Sequence, residues 1–180
     1  LAKADLLTDM VGEFPELQGI MGGYYARHDG EDERVAQAIA DQYLLRLDEG
    51  KWGANLVSEI LQIADRMETL VGIWGIGLKP TGEKDPFALR RHALSVIKLF
   101  QVLGQIRDGN NQGLNLDELI EFTISTFNRS LLDERVAVEL KQFIYERHEN
   151  QMMFMGIQRV AAVFSNMPPL HEIMKRLDAV

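Results

Sequence analysis

The chain has 180 residues, 46% of them hydrophobic and 26% charged, a composition that supports a packed core and argues against disorder. Cysteine is absent, which excludes a disulfide framework, a thiol nucleophile and cysteine-ligated zinc or iron–sulfur sites; this fits a reducing cytosol. The formal net charge of −8 makes the chain as a whole a poor binder of nucleic acid, so any such role rests on a local basic patch.

Helical periodicity dominates. The chain opens at Leu1 inside a helical pattern, and the expectation is an internal segment of a longer protein. Ala2 to Val11 reads as the tail of one helix. Gly12 to Pro15 breaks it, and Pro15 suits the start of a second helix reaching Ala26. A Gly-containing loop, His28 to Asp32, precedes a third helix over 33–47. A fourth covers 52–73, with Leu56, Ile60, Ile63, Met67 and Leu70 on one face.

A break dense in Gly and Pro spans Gly72 to Pro86. The next helix is expected to start near Pro86, where proline is tolerated in the first turn, and to reach Leu103. Beyond a polar loop at 108–113, Asn115 reads as an N-cap with Asp117 and Glu118 favourable in the first turn. Further helices are expected over 116–127, 133–148, 151–164 and 169–177. The fold class is all-α. No run approaches the roughly 20 apolar residues of a membrane span, and no signal peptide is visible.

Two stretches carry a resemblance: LAKADLLTDMVGEFPELQGIMGGYYA at the start, and IADRMETLVGIWGIGLKPTGEKDPFALRRHAL over 63–94. Both resemble signature stretches of the β subunit of bacterial glycyl-tRNA synthetase. The likeness weakens towards residue 145, and from Glu146 the family pattern is hard to follow. The resemblance implies a large helical subunit that partners a catalytic α subunit in a cytoplasmic hetero-oligomer. The parent enzyme would join glycine to its tRNA using ATP, with this segment supporting tRNA positioning and assembly. It implies no catalytic residue, metal or cofactor within the segment.

The same residues resemble HD-type phosphohydrolases, whose metal activates a water through His and Asp ligands. This implies a degenerate HD-like helical domain over 1–104, followed by a helical segment over 105–180 that can pack on it as one unit. Leu6-Leu7-Thr8-Asp9 stands where the apolar-apolar-His-Asp element falls, and Asp65 stands on the later Asp helix. Thr8 replaces the imidazole, so the scaffold is kept and the hydrolase lost. An active HD-type hydrolase is the competing reading, and a purely structural helical module is a third. Asp9 and Asp65 also read as ordinary carboxylates paired with Lys3 or Arg66.

Other motifs fail on inspection. His28-Asp29 is a literal HD pair set in a polar loop. Asp108, Asn110 and Gly113 mimic a calcium loop whose last position is Leu119 rather than a bidentate Glu. Gly77 to Gly82 has phosphate-loop glycine spacing, yet Glu83 follows where Lys is needed. His28, His92, His148 and His171 lack ligand spacing, and Met152–Met155 reads as core filler.

One segment stands out. Lys79, Lys84, Arg90, Arg91 and Lys98 face only Glu83 and Asp85, a local charge of +3. Arg91, Ser95 and Lys98 fall on one helical stripe, while Leu89, Ala93, Val96, Phe100 and Leu103 form the opposite one. The five cations are candidate contacts for tRNA phosphates or an α-subunit surface. A solvated polar face is the alternative.

Overall fold

A computed structural model describes residues 2–43, 55–106 and 114–179, the side chains of 104–106 excepted. Among these residues lie nine α-helices: α1 (Asp9–Glu13), α2 (Ile20–His28), α3 (Glu33–Asp41), α4 (Leu56–Gly75), α5 (Leu89–Ile106), α6 (Leu116–Ser125), α7 (Val136–Met152), α8 (Ile157–Phe164) and α9 (Ile173–Ala179). Short 3-10 turns link several of them. An isolated bridge, Thr81 to Lys84, is the β pairing found among the described residues. The fold is all-α. Two compact units divide the chain, Leu1–Asp65 and Arg66–Val180, so α4 contributes to both.

The first unit is built on small residues. Gly22 and Gly23 of α2 let it approach α3 closely: a Cβ on Gly22 would sit 2.7 Å from Ile39 Cγ2, and one on Gly23 would sit 3.0 Å from the Ala36 carbonyl. Ala26, Ala36 and Ile39 fill the seam. Asp5 is buried, and its carboxylate accepts a 2.6 Å hydrogen bond from the Gly19 amide, where φ is +78°. Sequence periodicity suggests a continuous helix over 2–11, but a 3-10 turn (Ala4–Leu7) and α1 meet at Thr8, whose backbone is extended. Pro15 likewise opens a 3-10 turn, Pro15–Leu17, rather than α2 itself.

In the second unit α5 is the central element. Leu89, Ala93, Val96, Ile97, Leu99 and Phe100 are buried, and α5 packs on α7 and on the 3-10 turn Leu170–Glu172. Trp74 meets Phe143 of α7 with ring centroids 4.7 Å apart. The Tyr145 hydroxyl donates to the Pro168 carbonyl at 2.8 Å, and burial pushes this phenol up to about 12. Among the methionines of 152–155, Met152 enters the core, while the neighbouring Phe154 is exposed.

The border expected at 104/105 falls near the end of α5, and residues 107–113 lie outside the described residues. The helices on either side of it, α5 and α7, pack together in one unit. The calcium-like positions 108–113 are also outside the described residues. Asn115 caps α6 as expected, its side-chain oxygen accepting from the Asp117 amide at 2.8 Å and the Glu118 amide at 3.4 Å.

Candidate functional site

The basic segment occupies the connection between α4 and α5 and the first half of α5. Helix α4 runs through Gly72 to Gly75, beyond the expected break. The connection is then held at several points. The Asp133 amide donates to the Gly75 carbonyl at 2.8 Å, and the amides of Thr81 and Lys84 donate to each other's carbonyls at 3.0 and 2.9 Å. The Arg90 guanidinium donates to the Gly82 carbonyl at 2.6 Å. Pro86 does not open α5. Instead Asp85 accepts from the amides of Leu89 (2.8 Å) and Arg90 (2.9 Å), and Ala88 takes a positive φ of +53° just ahead of the helix. The carboxylate of Asp85 therefore already fills the start of α5, leaving those two amides unavailable to a phosphate.

The five cations separate into different roles. Lys79 is held internally: its ammonium pairs with Glu139, lies 3.9 Å from Asp133 and sits 5.7 Å from the centre of the Trp74 ring. The Trp74 indole also donates to Glu139 at 3.3 Å. The hydrogen bond from Lys79, aided by that from Trp74 and by the charges of Lys79 and Arg135, holds the Glu139 carboxyl below its usual range. Arg90 is half-buried and anchored at Gly82. Lys84 and Arg91 are exposed, and Lys98 is half-buried. Ser95, expected on the outward stripe, is buried and donates to the Arg91 carbonyl at 3.0 Å. The stripe is broken because α5 is covered on most sides by its neighbours. The apolar stripe matches expectation at Leu89, Ala93, Val96 and Phe100.

The HD-like positions have separate local roles. Thr8 is the N-cap of α1: its hydroxyl accepts from the Val11 amide at 3.4 Å and donates to the Asp5 carbonyl at 2.7 Å. Asp9 is exposed in the first turn of α1, and Asp65 forms an ion pair with Lys3. Among the described residues no three of His, Cys, Asp and Glu lie together as a metal site would require. His28 and Asp29 are both exposed.

Sequence reading missed Trp74 and Glu139, and it named His148 only as a histidine without ligand spacing. His148 is fully buried in α7, and desolvation lowers its imidazole to about 4. The contacts that join these residues to other helices lie 16 to 65 positions away, His148 to Phe164 and Trp74 to Glu139, and leave no local signal.

The sequence model of the family described as glycyl-tRNA synthetase beta subunit matches residues 1–165. The chain belongs to this family. It is 45% identical to the glycine–tRNA ligase beta subunit of Methylobacillus flagellatus, 47% identical to that of Dechloromonas aromatica and 44% identical to that of Neisseria meningitidis, in each case over 100% of the chain. It spans 25% of the length of those relatives. The family pattern, hard to follow in the sequence from Glu146, is matched through residue 165. Both stretches that carried the resemblance, 1–26 and 63–94, lie inside the match.

Proposed function

We propose that this chain is a non-catalytic helical part of glycine–tRNA ligase and supports tRNA positioning during ATP-dependent charging with glycine. The whole-chain match to β subunits carries this reading. The catalytic α subunit would be its partner in a cytoplasmic hetero-oligomer, with ATP used by the parent enzyme rather than bound in this segment. No helix among the described residues is long and apolar enough to cross a membrane.

Within that role Lys84 and Arg91, supported by Arg90 and Lys98, are the proposed tRNA contacts. Lys84 and Arg91 are exposed, and neither forms an ion pair among the described residues. Lys84 lies in a connection whose backbone is already fixed and Arg91 in the first turn of α5, so less ordering entropy opposes binding. Lys79 serves the fold instead, since Glu139 and Asp133 already balance its charge. Contacts of this kind position an RNA without reading its sequence.

The degenerate HD-like domain remains part of the proposal as a scaffold. Thr8 supports it by its use as a helix cap in place of a metal-ligating imidazole. The test is tRNA binding by the complete α–β enzyme carrying Lys84→Glu with Arg91→Glu. Weaker binding with a flatter salt dependence is expected. Unchanged tRNA binding with impaired α-subunit association would instead make the segment a protein interface.

A further inference from the structure

Among its described residues, the first unit carries more large apolar side chains outside than inside. Among these residues, Val11, Ile39 and Ile63 are the large apolar side chains that are buried, alongside Ala26, Ala36 and Ala38. Leu6, Leu7, Met10, Phe14, Ile20 and Tyr24 are all exposed, Leu7 by 91% and Tyr24 by 62%. These six sit on the turn Ala4–Leu7, on α1 and its C-cap, and on α2, elements that pack on one another. On α2, Ile20 and Tyr24 are four residues apart and share an exposed face, while Gly22, Gly23 and Ala26 are buried. Large apolar side chains exposed together on adjoining elements are the kind of surface that marks an interaction site in a soluble protein.

We propose that this face is a docking surface covered by the remainder of the β-subunit polypeptide. Curated relatives are about four times as long as this chain, which aligns with 25% of their length. A segment joined to the rest in one polypeptide meets it at high effective concentration, so an apolar face of this size is buried in cis before a separate molecule can compete. The surrounding charge weighs against two other occupants. Asp9, Glu13 and Glu16 are exposed beside the apolar side chains, while Lys3, also exposed there, is paired with Asp65. An acidic rim repels RNA phosphates, and it repels its own copy in a two-fold contact.

Hydroxyl-radical footprinting of the full-length β subunit, read by mass spectrometry at Met10, Phe14 and Tyr24, tests this without any substitution. In the folded subunit alone these side chains should label at least 5-fold more slowly than in the urea-unfolded subunit, independently of protein concentration. Labelling as fast as in the unfolded subunit overturns the proposal. So does protection that appears only on adding the α subunit, only on adding tRNA, or only as concentration rises, since each names a different occupant. The double change Met10→Glu with Phe14→Glu in the full-length subunit should lower Tm by several degrees. On an open surface it would leave Tm unchanged, which also overturns the proposal.

Discussion

His148 of α7 meets Phe164 at the end of α8 edge to face, with ring centroids 5.3 Å apart and an interplanar angle of 87°. One ring nitrogen lies 3.4 Å from the Gln101 side-chain amide of α5. A single imidazole of α7 therefore touches two other helices of the second unit.

Burial lowers His148 from 6.5 to about 4. The unfolded chain binds the proton more readily, so stability rises with pH across this window. The contribution is fully present above about pH 6.5 and is lost as pH falls towards 4. The shift corresponds to about 3 kcal/mol at most. Urea denaturation of the chain at pH 7.5 and pH 4.5 should show this loss. His148→Leu, similar in volume, should flatten the dependence in the window. An equally steep dependence in the variant would show that other groups control it.

Two glycines predict opposite outcomes. In α2, a Cβ at Gly22 would meet Ile39 Cγ2 at 2.7 Å and the buried Asp5 carboxylate at 3.1 Å. Gly22→Ala should therefore destabilise by about 1–3 kcal/mol through overpacking. In α1, a Cβ at Gly12 would meet nothing within 4 Å. Gly12→Ala should stabilise by about 0.5–1 kcal/mol, because alanine loses less backbone entropy in a helix. Thermal denaturation distinguishes the two, and a destabilised Gly12→Ala would contradict the packing described for α1.

Thr8 is a cap, which sets its expected energetics. Thr8→Ala should cost about 1 kcal/mol and Thr8→Ser much less, since serine keeps the acceptor for the Val11 amide. Asp9→Ala should leave metal affinity unaffected. Calorimetry with manganese should find no stoichiometric site at Thr8, Asp9 and Asp65. Metal-dependent phosphate release that disappears in Asp9→Ala would restore the hydrolase reading.

Lys84→Glu with Arg91→Glu reverses two exposed cations and touches no buried apolar residue. In the complete enzyme the slope of log affinity against log salt should flatten by roughly 1–2, about one per lost phosphate contact. Far-ultraviolet circular dichroism should stay unchanged. An unaltered slope would remove both residues from the proposed tRNA surface.

Sequence alone determined what is local. Helical class, the inward stripe of Leu89, Ala93, Val96 and Phe100, and the Asn115 cap each depend on residues within a turn or a few turns, where spacing and side-chain chemistry suffice. Family membership was also legible, because two long stretches are distinctive. Burial depends on what covers a face, and periodicity is silent on that. On α4 the apolar stripe extends from Leu56 to Leu70, yet Ile63, Met67 and Leu70 are buried while Leu56 and Ile60 are exposed. Ser95 reads as polar and outward but is buried because neighbouring elements close over α5. Lys79 reads as a free cation until α7 brings Glu139 to it from 60 residues away. Only the tertiary structure decides such pairings, since the chain between two partners leaves no periodic trace of their meeting.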